Sequence, residues 1–434
     1  MVVFLLVVVA IAPASTLLVS TMAVSPVPRA SRHPVPKCAL PDFDAIDTDV
    51  AIKELLLKAN LTAEPVATEE MSAGFCNWVY RVDVPGSGPV VVKLFSPLAQ
   101  MRLAPEERGA GDEEAGAEGL GPRMLYRCPD GLICDFIEGD TLTESDMHLG
   151  TADLANLIAP RLAALHGAPL ADSSSSSSGG GGAAGEGGCA PVLWQFLHAM
   201  IAQIAKAPHA LPPGFTLESI TAEVERMRTR CDALELPIVR GHGDLKPSNV
   251  MRKVMPEGVD DEISFIDFEL AGRHYRGYDL FKLFRTSGPR STANMRSFLT
   301  TYLRSRRDAE SDAETPAGGE GAGGAAPTGS ASSSTELASL ALDELIAEAK
   351  AAEPMTWLEA AVFFLFAICV YPAQSHEWLP LAVSRWEGYL QSAATIDADG
   401  DATIALLSAR AKRREAHDAL LGDGQTPRAA LAPP

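Results

Sequence analysis

Two short motifs constrain this chain more than anything else in it. They are GHGDLKPSN (Gly241–Asn249) and FIDFE (Phe265–Glu269), which place Asp244 and Asp267 about twenty residues apart. Both motifs adjoin β-branched apolar runs, so residues 238–269 read as short strands alternating with a polar loop. Upstream, NWVYRVDV and PVVVKLF flank PGSG within residues 65–97, a hairpin by turn chemistry and strand composition. RMLYRC and LICDFIEG, within 123–142, predict two further strands, and a Gly-interrupted helix is expected near 106–119. Helical spacing follows at 152–167, 191–207 and 216–234, and beyond the second motif the chain reads as helical. The apolar run AAVFFLFAICVY (Ala360–Tyr371) is too short to span a bilayer and reads as a core helix. The expected fold class is α+β in two lobes, a small β-rich N-terminal lobe and a larger, mainly helical C-terminal lobe.

Composition sets the domain limits. Residues 1–24 are apolar without a charge and lead into a Pro-rich basic stretch, so 1–37 is set apart as a disordered or targeting segment. The N-terminal lobe is expected over 38–140 and the C-terminal lobe over 141–397, with a tail over 398–434 that carries one helical pattern. Two Gly/Ser/Ala-rich stretches, 171–189 and 308–335, bury too little apolar surface to offset their ordering entropy, and disordered insertions are expected there. A formal net charge of −20 excludes nucleic acid and an anionic membrane surface as partners. No stable membrane insertion of the catalytic part is expected. Seven scattered cysteines without a CxxC pair argue against a zinc site or disulfide framework and fit the cytoplasm. The N-terminal segment leaves anchoring or organelle targeting open, and a homodimer is left open as well.

The residue types in the two motifs suit phosphoryl transfer, which depends on positioning and charge neutralisation. His242, Asp244 and Asn249 form H-x-D-x-x-x-x-N. Asp244 is the candidate to accept or orient an attacking hydroxyl, and His242 is assigned to the same catalytic loop. Asn249 and Asp267 supply hard oxygens for Mg²⁺. Lys93, at the end of VVVK, is placed to reach the α- and β-phosphates of ATP. A carboxylate should orient this lysine; Glu106, Glu107, Glu113 and Glu114 compete, with Glu113 preferred. The turn SAGFCN, ending at Asn77, is a candidate to cover the phosphates.

Peptide-phosphorylating kinases continue their metal Asp with Phe-Gly and a later Ala-Pro-Glu, and they carry a G-x-G-x-x-G loop. Here Asp267 is followed by Phe268-Glu269, and neither other motif is present where it belongs. The catalytic core without a peptide platform points to a small-molecule kinase. The sequence resembles the choline/ethanolamine kinases, relatives of the aminoglycoside phosphotransferases, over about residues 65–392 apart from the two insertions. The resemblance rests on FCNWVYRV with VVVKLF, on GLGPRMLYRCPDGLICDFIEGDTL, on GHGDLKPSN, and above all on FIDFELAGRHYRGYDLFKLF. It implies a protein-kinase-like fold and Mg²⁺-dependent transfer of the ATP γ-phosphate to ethanolamine or choline, the first step of the cytidine-nucleotide route to phospholipids. It also implies that Asp135, Phe136 and Glu138 form the hinge that contacts adenine, and that Asp279 lies near the amine or supports the catalytic loop. Glu269 and Trp378 are further candidates for the acceptor side.

Departures from the family pattern favour ethanolamine over choline. Lys282-Leu283 stand where the family has Asn-His, and Thr286 aligns with an acidic residue. Leu365 and Ile368 replace two tryptophans of the family's aromatic box, for which Phe363, Phe364, Trp378 and Trp386 are the available substitutes. Another small-molecule kinase of the aminoglycoside phosphotransferase-like group is the alternative reading.

Overall fold

The structure, a computed structural model, describes residues 47–61, 67–73, 76–148, 152–170, 190–285, 291–314, 331–397 and 402–421. The segment 1–37, the insertion 171–189 and Thr286 lie outside them. The described residues belong to one compact unit.

Helix α1 (Thr48–Lys58) opens on Asp47, whose side chain accepts the Val50 amide at 3.2 Å and caps the first turn. Strands β1 (Ala67–Ala73), β2 (Asn77–Val84) and β3 (Gly88–Phe95) follow, then α2 (Pro97–Arg102), α3 (Ala110–Ala117), β4 (Met124–Cys128) and β5 (Gly131–Asp135). The five strands form one antiparallel sheet in the order β1-β2-β3-β5-β4. The β2–β3 hairpin turns through Gly86 and Gly88, both with φ near +80°, the left-handed region that glycine enters without strain. Its register pairs Val79 with Lys93, so the lysine is fixed by a ladder of buried valines. Ile52, Leu55 and Leu56 of α1 close one face of the sheet against Val82, Val90, Val92 and Ile133.

The rest of the chain is mainly helical around two small sheets. Strand β6 (Asp140–Thr141) leads into α4 (Glu144–His148), α5 (Ala152–Gly167), α6 (Val192–Ile204) and α7 (Leu217–Ala233). Helix α7 carries a capping box between Thr216 and Ser219. Strand β7 (Ile238–Gly241) pairs antiparallel with β10 (Gly272–Tyr275), while β8 (Val250–Lys253) and β9 (Glu262–Phe265) pair beside β6. Then come α8 (Arg276–Phe284), α9 (Ser291–Glu314), α10 (Ala331–Val370), α11 (Ser375–Asp397) and α12 (Ala402–Leu421).

Helix α10 is far longer than the apolar run read from sequence. Its segment Ala338–Val370 is long and apolar enough to cross a membrane, yet 78% of its apolar window is buried inside the fold, as expected for a core helix. The region 308–335 needs correction at both ends: α9 continues to Glu314 and α10 begins at Ala331. The Ala and Glu residues that end α9 have good helix propensity, whereas the Ser and Thr residues that open α10 do not, so their helix follows from the long helix they lead into. Helix α8 approaches α10 closely at Gly277, where a Cβ would collide with the Glu348 carbonyl. There Glu348 receives Arg276 in two bonds of 2.8 Å and also Arg410, joining α8, α10 and α12 through one fully buried carboxylate. Its pKa is lowered, the two guanidinium groups outweighing burial.

Candidate active site

The loop between β7 and β8 is held by its backbone. Asp279, in the first turn of α8 and fully buried, accepts the His242 amide at 2.6 Å and the Gly243 amide at 2.9 Å. His166 Nε2 donates to the same carboxylate at 3.2 Å, while its Nδ1 accepts the Tyr302 hydroxyl at 2.8 Å. Burial works to raise the Asp279 pKa, but the His166 hydrogen bond and the fields of His166, His274 and His242 outweigh it and hold the carboxyl well below its ordinary range. Gly243 has φ +80°, and any Cβ would press into the Leu270 carbonyl, so glycine alone fits here. His242 is fully buried, with Nε2 bonded to the Ile266 carbonyl at 3.0 Å and its ring 4.5 Å from that of Phe268. It braces the loop and does not face the cleft.

This bracing presents Asp244 to a cleft of about 370 Å³. Lys246 and Lys282 each reach Asp244 at 2.9 Å, one to each oxygen. Burial opposes ionisation of Asp244, but the two ammonium groups prevail and depress its pKa far below the usual carboxylate range. Asn249 donates to the Asp244 carbonyl at 2.9 Å and to its carboxylate at 3.3 Å, which locks the loop's far end.

Opposite stands Asp267, whose φ of +68° turns the chain sharply after β9. Its carboxylate meets Lys93 Nζ at 2.5 Å, and Glu269 meets the same ammonium at 3.3 Å. Glu269 also accepts Asn77 Nδ2 at 2.5 Å and Arg102 at 3.3 Å. The Lys93 pKa rises well above its ordinary value, since the carboxylates of Asp267, Glu269 and Asp112 more than offset its burial. Asp112 on α3 accepts the Phe268 amide at 3.1 Å through one oxygen; the other is buried with no hydrogen-bond partner among the described residues.

Of the residues singled out from sequence, Asn77, Lys93, Asp244, Asp267 and Glu269 line one cleft, with Asn249 directly behind Asp244. Others require correction. Glu113 pairs with Arg127 at 2.8 Å and lies away from Lys93, whose neighbour on α3 is Asp112. Asp279 has both oxygens engaged by loop donors, so it supports the loop and cannot reach an amine. Trp378 is 2% exposed in the helical core. Leu365 and Ile368 likewise face the core, while Thr356, Trp357, Ala360, Phe363 and Phe364 form the cleft face of α10 at helical spacing. Asp135 pairs with Arg123 at 2.9 Å, Phe136 lies under the Arg81 guanidinium at 4.9 Å, and Glu138 reaches Lys253 at 3.5 Å. These three are not among the residues lining the cleft.

Sequence reasoning missed Lys246, Lys282, Glu359, Arg102 and Asp112. Lys246 sits inside the quoted motif, and Lys282 is one turn past Asp279 on α8, so the spacing held a signal for both. Glu359 and Arg102 carried none, because only tertiary packing brings α10 and α2 to this loop.

An ionised carboxylate flanked by two ammonium groups thus faces a second carboxylate held by a lysine, across a cleft with an aromatic wall. A sequence profile of the family described as Choline/ethanolamine kinase matches residues 69–374. The chain belongs to this family. It is 22% identical over 230 residues to a choline/ethanolamine kinase of Rattus norvegicus, covering 50% of this chain and 54% of that protein. It is 24% identical over 224 residues to a probable ethanolamine kinase of Arabidopsis thaliana, covering 49% and 54%. The matched region thus spans about half the length of these curated relatives. Among solved structures, an ethanolamine kinase of Plasmodium vivax superposes with a TM-score of 0.59 at 16% identity, covering 81% of this chain and 89% of that one. A choline kinase from Cryptosporidium parvum gives 0.50 at 13% identity, covering 80% and 95%. The α+β kinase-like fold expected from the sequence is the fold observed.

Proposed function

We propose that this chain transfers the γ-phosphoryl group of ATP to the hydroxyl of a small amino alcohol, of the ethanolamine and choline class. The observation that carries the reading is the pair of carboxylates, Asp244 and Asp267, facing one cleft from braced loops in a member of this family. With its pKa so depressed, Asp244 is a poor store for a proton and serves to orient the hydroxyl. The hydroxyl oxygen bonds to the γ-phosphorus as the bond to the β–γ bridging oxygen breaks. ADP departs, and the hydroxyl proton leaves to solvent or product phosphate. Lys93 holds the α- and β-phosphates, Lys246 offsets charge on the group in transit, and Asn77 with Glu269 braces Lys93.

Among the described residues no cluster of three His, Cys, Asp or Glu forms a ready-made metal cage. Mg²⁺ that arrives with a nucleotide needs only one or two protein carboxylates. The oxygens of Asp267 and Asn249 fit that need, and the unpartnered Asp112 oxygen adds a further acceptor beside them. Bound there, Mg²⁺ would neutralise phosphate charge. The free thiols of Cys76, Cys128, Cys134, Cys231 and Cys369 fit a reducing compartment, the cytoplasm.

Positions 365 and 368 face the core, so their lack of tryptophan does not separate ethanolamine from choline; on the cleft side of α10, Trp357, Phe363 and Phe364 offer ring faces, and both amino alcohols stand as acceptors. The test is acceptor-dependent ADP release from Mg·ATP with ethanolamine and with choline. No stimulation by either would overturn the reading.

A further inference from the structure

Glu269 holds two cations side by side in the cleft, one on each oxygen. Lys93 meets Oε2 and the guanidinium of Arg102 meets Oε1, both at 3.3 Å. Lys93 continues to Asp267, at the phosphate end. Arg102, at the end of α2, lies over the Phe363 ring at 5.4 Å, on the aromatic wall of the acceptor end. It therefore stands next to the phosphate-binding lysine on the side of the acceptor. Two other arginines among the described residues line the cleft. Arg285 is tied to Glu144 at 3.2 Å, and Arg385 lies over Trp357 and donates to Ser384 Oγ at 3.5 Å. Of the three, Arg102 alone is buried.

That guanidinium is short of acceptors. Arginine carries five N–H donors. Here Nη2 donates to Glu269, Nη1 donates to the Cys76 sulfur at 3.5 Å, and Nε is buried with no partner among the described residues. Neither bond is a short one, and the side chain is only 4% exposed, so water does little to complete the set. Burial opposes the charge, but Cys76, Glu269, Glu359 and Asp244 outweigh it and raise the pKa. Cys76 belongs to the turn before β2, Glu269 to the phosphate end, and Glu359 and Asp244 to the acceptor end, so the guanidinium feels both ends of the cleft.

We propose that Arg102 contacts the phosphoryl group in transit, donating N–H bonds to its equatorial oxygens as phosphorus passes from the β–γ bridging oxygen to the acceptor hydroxyl. This rests on the phosphoryl-transfer reading above. Arg102 makes and breaks no bond to phosphorus; it neutralises charge on oxygens that are shared by neither the leaving nor the attacking group. A planar fork matches two oxygens of one phosphoryl group, which a single ammonium cannot do. Its loss therefore falls on the transition state and spares bound ATP.

Arg102→Lys keeps a charge beside Glu269 and removes the fork, while Arg102→Gln removes the charge and keeps a donor for Glu269. With Mg·ATP and ethanolamine or choline, each variant is expected to lose about a hundredfold or more in kcat, with KM for ATP and acceptor within about threefold of the native chain. Titration calorimetry with Mg·ADP gives a readout besides turnover. Aluminium fluoride, a mimic of the phosphoryl group in transit, should tighten ADP binding to the native chain by about tenfold or more when the acceptor is present, and by less than about threefold in Arg102→Lys. Mg·ADP alone should bind both equally. A kcat within about threefold of native in a folded variant would overturn the inference and leave the kinase reading intact. So would a loss lying wholly in KM for ATP, or a native chain whose ADP affinity aluminium fluoride leaves unchanged. Turnover of neither amino alcohol by the native chain would overturn both.

Discussion

Asp279→Asn separates two roles that the residue could have in a kinase of this family. In the structure its carboxylate receives the His242 and Gly243 amides and the His166 ring, all away from the cleft. An asparagine retains one acceptor oxygen and turns an amide NH₂ toward one of those donors. Hydrogen bonds to a charged group contribute roughly 1.5–3 kcal/mol each, and a buried donor left unmade costs roughly 1–3 kcal/mol. The loss of stability is therefore about 3–5 kcal/mol, a fall in Tm of roughly 5–10 °C for a domain of this size. Because the same bonds hold the backbone on either side of Asp244, kcat should fall by about a hundredfold for every acceptor, with little change in KM. Thermal unfolding followed by circular dichroism, alongside steady-state kinetics with acceptors that carry and lack an amine, reads both effects. An unchanged Tm with a loss confined to KM for amine-bearing acceptors would refute the loop-bracing role.

Three further outcomes follow from the same geometry. Lys93→Met strands Asp267 and Glu269 without their ammonium and removes the phosphate contact, so kcat/KM for ATP should fall by about 10²–10³ when ATP is the varied substrate; a change under threefold would contradict the assignment. Gly243→Ala, at φ +80° against the Leu270 carbonyl, should cost about 2 kcal/mol or more in urea unfolding, and a neutral effect would mean that the loop is looser than described. His166 and His274 are kept neutral by burial, their pKa values lowered, whereas in the unfolded chain they titrate near ~6.5. Unfolding therefore takes up protons below that pH: stability is complete above about pH 6.5 and falls by up to ~1.4 kcal/mol per pH unit for each histidine as the pH drops. Urea melts at pH 7.5, 6.0 and 5.0 check this, and a flat profile would contradict it.

Local chemistry made much of the fold legible. The β2–β3 hairpin, with Lys93 opposite Val79, follows from PGSG between two β-branched runs, and α5, α6 and α7 follow from apolar spacing. Strand β1 was not legible, because ATEEMSA is polar and earns its place only by pairing with β2. The carboxylates of Asp244 and Asp267 in the cleft were legible because their motifs are continuous in sequence. Their partners were not. Asp112 rather than Glu113 approaches Lys93, a difference of one residue that turns the side chain by about 100° around α3. On α10 the same arithmetic decides which aromatic residues face the cleft: an alignment that puts positions 365 and 368 on the acceptor picks the core side, while Trp357, Phe363 and Phe364 hold the cleft side. Sequence spacing gives the faces of a helix, but only packing tells which face meets the site.

The most direct measurement is identification of the product. The purified chain is incubated with Mg·ATP and, separately, ethanolamine and choline, and ³¹P NMR follows the phosphorus in parallel with Asp244→Asn. A new phosphomonoester of at least one acceptor, formed in step with ADP, is predicted for the native chain, with its rate reduced by about 10³ or more in the folded Asp244→Asn variant. ATP hydrolysis with no phosphomonoester from either, or an Asp244→Asn variant as fast as the native chain, would contradict phosphoryl transfer to an alcohol oriented by Asp244.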